Sequence, residues 1–270
     1  MRWRRLAGAS ALAVALAFGI GLGRPAGAQD STPAPTPPQS MPPASTLPLN
    51  LSPEQKTAFE KLIHDYLIAH PEVVKEAIEA LQAKEDADKT AAQTQSVSEN
   101  QSALYNDPAT PVAGNPVGDV TVVEFFDYHC PYCKAVAEPL QQLIAEDKGI
   151  RLVLKEFPIL GDDSVLASRA ALASVAQGKY WAYHQALMAH RGSFDAATLD
   201  SIAAKVGIDT KKLDADMGVG KVEPLISANH KLADALNVGA TPTFVIGGKV
   251  VEGAVPLEQL KALIKEARGG

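Results

Sequence analysis

The chain has 270 residues, of which 46% are hydrophobic, 21% charged and 6% aromatic. This composition is typical of a soluble globular protein with enough apolar residues to build its own core. The formal net charge is -6, and because an acidic chain is a poor match for nucleic acid or an anionic membrane surface, we expect no nucleic acid partner.

The first 28 residues have the pattern of a secretory signal peptide. The basic segment MRWRR precedes the apolar run LAGASALAVALAFGIGLG, and the small residues Ala26 and Ala28 fit a cleavage site. An uncleaved anchor is the alternative, but the apolar run is at the short end for a membrane span. Export in either form predicts a location in the bacterial periplasm, a compartment that permits disulfides.

Two further segments precede the region that carries the cysteines. Residues 29–50, QDSTPAPTPPQSMPPASTLPLN, are dense in Pro, Ser and Thr, which predicts a disordered tether. Residues 51–104 predict a helical leader, in which Ser52 and Gln55 form a capping box and Pro71 separates two helices with apolar stripes. These stripes pack either on the body of their own subunit or on other copies of the chain. The leader is therefore a candidate oligomerisation segment.

Residues 105–270 have the pattern of a mixed α/β domain. The apolar segment VTVVEFFDY predicts a strand, a helix follows from near Pro131, and IRLVLKEFPI predicts a second strand. Residues from about 162 to 237 are Ala-rich and predict a helical insertion. The segment TPTFVIGGKVVEGA predicts a hairpin around a Gly-Gly turn, and PLEQLKALIKEA closes the chain as a helix.

Cys130 and Cys133 are the only cysteines of the chain, and they form a CPYC motif directly after the first strand. A zinc site would need two further ligands at suitable spacing, and covalent haem attachment would need a histidine where the chain has Lys134. A structural disulfide across so short a loop would stabilise the fold only weakly. The motif therefore predicts a redox pair with no cofactor and no resident metal.

The position of the motif predicts different roles for the two thiols. Cys130 falls at a helix N-terminus, where unpaired backbone N–H groups and the helix dipole stabilise a thiolate, so we predict that it is the nucleophile. Cys133 lies one turn inside the helix and is the predicted resolving thiol. His129 is either a surface residue or a group that tunes the thiolate. Lys134 adds positive potential or is a solvated helix residue.

The segment FFDYHCPYC, with ATPTF downstream, resembles the thioredoxin superfamily and its DsbA-like periplasmic branch. The segment YLIAHPEVVKEAIEAL further resembles the helical leader of ScsC-like members, some of which oligomerise through it. The resemblance implies an α/β, thioredoxin-like fold interrupted by a helical insertion, and thiol:disulfide oxidoreductase activity. It also implies exported proteins with cysteines as substrates, and a membrane redox partner of the DsbB or DsbD type.

The resemblance also implies roles for individual residues. Pro242 would be a cis-proline that lies against the CPYC motif, and the backbone of Thr241 would pair with a substrate segment. Glu124 would be a buried acid that shuttles the proton of Cys133, with burial raising its pKa; the alternative is an outward-facing strand residue. The immediate neighbours of the reactive thiol in this reading are Pro131, Tyr132 and His129.

The most detailed of these predictions concerns the direction of the exchange, that is, whether the protein oxidises or isomerises the disulfides of its substrates. The Pro131-Tyr132 dipeptide differs from the Pro-His of strongly oxidising members, and a threonine before the cis-proline is commoner in isomerase-like and ScsC-like members. These features favour a disulfide isomerase or general oxidoreductase over a dedicated DsbA-type oxidase. A copper-binding or copper-tolerance protein is the alternative from another class, because two thiolates one turn apart suit Cu(I), with His129 or a neighbouring subunit as further ligand.

Overall fold

The computed structural model of the chain describes residues 51–218, 220 and 222–269. The predicted signal peptide and the predicted tether lie outside these residues. The chain divides into two compact units, with the boundary between His64 and Asp65. Among the helices in the described ranges, none is both long enough and apolar enough to cross a membrane.

The N-terminal region is helical, as predicted. Its helices are α1 (Pro53–Ala69), α2 (Pro71–Glu99) and α3 (Gln101–Tyr105). At the start of α1 the backbone N–H of Gln55 donates to Ser52 Oγ at 3.3 Å, and the backbone N–H of Ser52 donates to Gln55 Oε1 at 2.9 Å. These two bonds complete the predicted capping box. Pro71 then takes the first position of α2, where its missing N–H costs nothing.

Large apolar side chains are exposed along α1 and the first half of α2. They are Phe59, Leu62, Ile63, Tyr66, Ile68, Val73, Val74, Ile78 and Leu81. The end of this region behaves differently, because Val97 and Leu104 are buried in a cluster with side chains of the sheet. The core of the second unit therefore begins before residue 105, the predicted start of the catalytic domain.

A five-stranded sheet lies at the centre of the second unit, with strand order β1-β3-β2-β4-β5. The strands are β1 (Val112–Gly114), β2 (Val120–Phe126), β3 (Ile150–Glu156), β4 (Thr243–Ile246) and β5 (Lys249–Glu252). Strands β2 and β3 are parallel, and every other neighbouring pair is antiparallel. The predicted order of elements is confirmed apart from β1, which the sequence analysis missed because three residues are too few to show an alternating pattern.

The remaining helices cover the sheet. They are α4 (Pro131–Glu146), α5 (Asp162–Ala173), α6 (Tyr180–Ala189), α7 (Ala196–Lys205), α8 (Thr210–Met217), α9 (Val222–Ala235) and α10 (Leu257–Ala267). Helices α5 to α9 form the predicted insertion between β3 and the hairpin. Val122 and Phe126 of β2 belong to one buried cluster with residues of α4 and the insertion, whereas Val123 and Phe125 belong to a second cluster with α3 and α9. Burial on both faces explains why β2 reads as a continuous apolar run.

Candidate active site

The CPYC motif lies at the junction between strand β2 and helix α4. The strand ends at Phe126, two residues earlier than predicted, and Cys130 is the N-cap of α4 with Pro131 in the first helical turn. The backbone N–H of Cys133 donates to Cys130 Sγ at 3.4 Å. The predicted position of Cys130 at a helix N-terminus is thus confirmed, and the orphan donors of the helix point at its sulfur.

The surroundings of Cys130 favour its thiolate. Its pKa is lowered to about 5, and the largest cause is the hydrogen bond with the Cys133 side chain. Burial acts in the opposite direction and raises the pKa. A hydrogen bond with the Thr241 side chain and the backbone N–H groups of Tyr132 and Cys133 lower it further. A thiol with this pKa is ionised at neutral pH, which is the state in which sulfur attacks a disulfide.

The surroundings of Cys133 have the opposite effect. This side chain is fully buried, and its pKa is raised far above the ordinary range, first by burial, then by the hydrogen bond with Cys130 and by the charge of Glu124. The motif therefore holds one thiol that ionises readily and one that keeps its proton. Stepwise exchange needs this difference in pKa, because one sulfur must attack the substrate as a thiolate while the other remains a protonated thiol.

The loop that precedes β4 closes the other side of the site. The Thr241-Pro242 peptide bond is cis. Cys130 Sγ lies 3.1 Å from the carbonyl oxygen of Thr241, which accepts a hydrogen bond from this sulfur while it is protonated. Residues more than a hundred positions apart in the sequence therefore meet at the reactive sulfur.

Glu124 is buried in the middle of β2, with 2% of its surface exposed. Its pKa is raised to about 8 because burial disfavours the charged carboxylate and because Cys130 and Glu156 add negative charge nearby. The alternative of an outward-facing strand residue is therefore wrong. Glu124 also lies close enough to Cys133 for its charge to raise the pKa of that thiol.

Asp127, which was not among the predicted site residues, organises the segment before the motif. Its carboxylate accepts hydrogen bonds from the backbone N–H of His129 at 2.6 Å, of Ile159 at 2.8 Å and of Leu160 at 3.0 Å, and from Ser164 Oγ at 2.7 Å. These bonds connect the segment that precedes the CPYC motif with the loop that follows β3. The available signal was an acid directly after a buried strand, where Asp often caps a turn.

His129 and Lys134 connect the motif to the helical insertion. The His129 ring packs edge-to-face on Phe194, at 5.0 Å between ring centroids, and its Nε2 lies 3.7 Å from Asp163 Oδ2. The Lys134 Nζ donates to the backbone carbonyl of His190 at 2.7 Å and lies 5.3 Å from the centre of the Phe194 ring. Lys134 is therefore not simply a solvated helix residue; it joins α4 to the loop after α6.

Comparison with known proteins places this geometry among thiol-exchange proteins. The sequence profile described as thioredoxin matches residues 106–266, and a profile described as the N-terminal domain of the copper resistance protein ScsC matches residues 55–87. A thioredoxin-like oxidoreductase from Silicibacter pomeroyi is 46% identical, with a TM-score of 0.61, over 63% of this chain and 99% of that one. ScsC of Proteus mirabilis in a transitional conformation is 31% identical, with a TM-score of 0.61, over 81% of this chain and 99% of that one.

Further similarities extend to other organisms. The thiol-disulfide exchange protein α-DsbA2 of Wolbachia pipientis is 31% identical, with a TM-score of 0.61, over 64% of this chain and 95% of that one. Among curated proteins, the Na(+)/H(+) antiporter NhaA 1 of Salinispora arenicola is 30% identical over 161 residues, which are 59% of this chain and 25% of the antiporter. The chain thus spans about a quarter of the length of the curated relatives it matches. The resemblance to DsbA-like and ScsC-like proteins that the sequence indicated is confirmed.

Proposed function

The chain belongs to the thioredoxin family, and from that premise we propose that it performs thiol:disulfide exchange on exported proteins through Cys130 and Cys133. The observation that carries this proposal is the different placement of two thiols one helical turn apart: Cys130 caps helix α4 and accepts the backbone N–H of Cys133, whereas Cys133 is fully buried. This placement lowers the pKa of Cys130 and raises that of Cys133. Neither a structural disulfide nor a packed cysteine pair requires that difference.

The reaction proceeds by two thiolate attacks. The Cys130 thiolate attacks a substrate disulfide, which forms a mixed disulfide and releases one substrate sulfur as a thiolate. Cys133 then loses its proton to Glu124 and attacks Cys130 Sγ, which forms the Cys130–Cys133 disulfide and releases the second substrate thiolate. The substrate gains two electrons and the protein loses two; oxidation of a substrate is the same sequence in reverse. In isomerisation a second substrate thiol resolves the mixed disulfide, and the protein leaves reduced.

Other residues of the site guide the substrate. The backbone of Thr241, beside Pro242, pairs with an extended segment that flanks the substrate cysteine. Pro131 and Tyr132 are exposed next to the buried sulfur of Cys130. They form the outer surface against which the substrate lies, and His129 bounds it on the side of the insertion.

For the direction of exchange, we propose that the protein acts in the periplasm as a disulfide isomerase or general oxidoreductase. Support comes from the Pro-Tyr dipeptide, from threonine before the cis-proline, and from the exposed apolar stripe in a segment that matches the ScsC N-terminal profile. An oligomer formed through residues 51–104 would present several active sites to one misfolded substrate. A relative from Salmonella enterica is described as a periplasmic thioredoxin-like protein. A DsbD-type membrane partner would keep the thiols reduced, whereas a DsbB-type partner would serve a dedicated oxidase, the alternative function.

Refolding of scrambled ribonuclease in glutathione buffer tests the direction. Catalytic amounts of the chain from residue 29 onward should restore ribonuclease activity, and Cys130→Ala should abolish the effect. Cys133→Ala should retain part of it, because a substrate thiol can resolve the mixed disulfide. Rapid oxidation of reduced ribonuclease without rescue of the scrambled form would contradict the isomerase assignment and favour the oxidase.

The match of residues 55–87 to a copper resistance profile favours a second candidate, the binding of Cu(I) as cargo. The thiols of Cys130 and Cys133 are soft ligands of the kind that Cu(I) prefers. Within the described ranges no group of three or more His, Cys, Asp or Glu residues is arranged to hold a metal ion. Competition with a Cu(I) chelator tests this candidate: binding that survives Glu124→Gln and Pro242→Ala, while exchange falls, would favour it.

A further inference from the structure

A second buried carboxyl, Glu156, lies beside the proposed site. It ends strand β3, has no exposed surface and accepts three hydrogen bonds from hydroxyl groups. Tyr128 Oη and Tyr180 Oη donate to its Oε1 at 3.0 and 2.7 Å, and Ser168 Oγ donates to its Oε2 at 2.7 Å. Donors directed at both oxygens favour the ionised form of a buried carboxyl.

The hydrogen bond between His184 and Tyr128 is also donated toward Glu156. His184 Nδ1 lies 3.0 Å from Tyr128 Oη. Because Tyr128 has one hydroxyl proton and gives it to Glu156, the hydroxyl can only accept from His184, which assigns the proton of the neutral imidazole to Nδ1. Burial lowers the pKa of His184 to about 3, so the ring is neutral at physiological pH. The chain of donors from His184 through Tyr128 thus ends on Glu156.

Glu156 shares a face of the sheet with Glu124. In the parallel pairing of β2 and β3, Glu124 is opposite Leu154 and Phe126 is opposite Glu156. Side chains alternate between faces along a strand, so Glu124, Phe126 and Glu156 all point toward the same face. The charge of Glu156 is one of the three causes that raise the pKa of Glu124, and all three act in the same direction.

The two carboxyls differ in what surrounds them. Burial also raises the pKa of Glu156, to about 8, but its three hydroxyl donors act against that rise. Two like charges held close together in a protein interior do not ionise together, and the one with more donors ionises first. The groups that face Glu156 from the elements around it are Tyr128, Asp127, Ser168, Tyr180, His184 and Glu124.

We propose that Glu156 is a positioning residue: when the buried carboxyl pair carries one negative charge, the three hydroxyl donors keep that charge on Glu156 and the proton stays on Glu124. The proposal rests on the proposed function, because it concerns the proton exchanged between Glu124 and Cys133. When Cys133 leaves a disulfide as a thiolate, the protonated Glu124 carboxyl supplies its proton. In the reverse step Glu124 first releases this proton to solvent, and the resulting carboxylate takes the proton of Cys133 as Cys133 attacks. The charge of Glu156 raises the pKa of Glu124 and so makes the Glu124 carboxylate a stronger base. A stronger base is needed because the pKa of the Cys133 thiol is itself raised.

Titration of the Glu124 carboxyl in the Glu156→Gln variant tests the proposal. Carbon-13 NMR of labelled glutamate side chains in the reduced chain from residue 29 onward gives the midpoint, and the Glu124 signal is identified by its loss in Glu124→Gln. We expect the midpoint to fall by up to about one pH unit when the Glu156 charge is removed, because burial and Cys130 contribute more to the raised pKa. The pH profile of substrate release from the mixed disulfide should shift in the same direction. An unchanged midpoint would overturn the proposal.

A matched pair of tyrosine variants keeps the test decisive if Glu156→Gln does not fold. Tyr180→Phe removes one donor from Glu156, so Glu156 takes up the proton more readily and the Glu124 midpoint should fall. Tyr183→Phe on the same helix removes the hydroxyl of another buried tyrosine, which donates to the Leu199 carbonyl at 3.0 Å, and should leave the midpoint unchanged. Equal midpoints in the two variants would contradict the proposal. The titration needs no substrate, so failure of exchange in the unaltered protein would overturn the proposed function separately.

Discussion

Cys130 and Cys133 have the same side chain and opposite acid–base behaviour, and the cause is their position in one turn of helix. Cys130 caps helix α4 and accepts a hydrogen bond from the helix backbone, whereas Cys133 is fully buried in the core. The sequence alone predicted this division of roles, because the position of a residue at a strand-to-helix junction can be read from hydrophobic pattern and proline placement. The position of Glu124 was left open between two faces, and only the packed structure decides it.

The first prediction concerns the ionisation of Cys130 in the reduced protein. Its rate of alkylation and its thiolate absorbance should titrate with a midpoint near pH 5. In Cys133→Ala the midpoint should rise, because the largest cause of the low pKa is removed. Since the folded pKa lies below that of an unfolded thiol, the thiolate stabilises the reduced protein fully above about pH 9, and this contribution is lost as the pH falls through 5. A midpoint near the ordinary value of about 8.5 would contradict the assignment of Cys130 as nucleophile.

The second prediction concerns Glu124 and the free energy of unfolding. Its folded pKa of about 8 lies above the ordinary value of 4.5, so its contribution to stability is present below pH 4.5 and is lost as the pH rises through 8. Glu124→Gln should therefore gain stability relative to the unaltered protein between these pH values, by an amount on the order of 3 kcal/mol at pH 7. Exchange at pH 7 should slow by about 100-fold, the lower end for loss of an acid–base group.

Denaturant unfolding at a series of pH values measures the stability part of this prediction. Glu138→Gln is the matched control, because Glu138 lies on α4 with an exposed side chain. It should leave the pH dependence of stability unchanged. Parallel stability curves for the unaltered protein and Glu124→Gln would mean that Glu124 does not carry a raised pKa.

At the scale of elements, most of the fold is visible in the sequence because its signals are local. The capping box of α1, the break at Pro71 and the Gly-Gly hairpin each depend on a few neighbouring residues, and each is found where it was predicted. Strand β2 is also found, although it ends two residues early. Strand β1 was missed because it has only three residues. The Glu156 network was missed because its bonds join residues far apart in the chain, such as Tyr128 and His184, which are 56 positions apart, and no local pattern indicates such a pair.

The third prediction concerns Gly114, which ends β1. It has a φ of +72°, and an added Cβ would lie 2.6 Å from the carbonyl oxygen of Ile150 on the neighbouring strand. Gly114→Ala should therefore combine backbone strain with a steric clash. Gly178 is the matched control, since its φ is +66° and an added Cβ would meet no atom within 4 Å.

Thermal or denaturant unfolding separates the two contributions at these glycines. Gly178→Ala should cost about 1 to 2 kcal/mol, the strain of a left-handed backbone alone. Gly114→Ala should cost clearly more, because the close contact with Ile150 adds to the strain. Equal losses would show that β1 can move away from β3 at no cost.

At the scale of the whole molecule, the exposed apolar stripe of α2 is the feature that one chain leaves unexplained. Soluble monomers rarely expose contiguous apolar surface of this kind without a partner. The sequence analysis left two partners open, the body of the same subunit and other copies of the chain. In the structure the stripe residues of α2 remain exposed, which favours the second.

The fourth prediction concerns the oligomer proposed for residues 51–104. Ile78→Asp places a charge in the stripe and should convert the oligomer to a monomer, as measured by sedimentation equilibrium. Ala80→Asp introduces the same charge about 200° around the helix and should leave the assembly unchanged. Exchange with a small disulfide should continue in both variants, whereas the rescue of scrambled ribonuclease should fall only in Ile78→Asp. A monomeric unaltered chain would contradict the oligomer.

The central claim is that Cys130 and Cys133 form a reversible redox couple, and equilibration of the chain from residue 29 onward against a glutathione redox series tests it directly. The account predicts a two-electron transition between dithiol and disulfide, which is lost in Cys133→Ala and replaced there by a mixed disulfide between Cys130 and glutathione. The absence of any reversible transition in the unaltered protein would contradict the account and leave the binding of Cu(I) as the stronger reading of the motif.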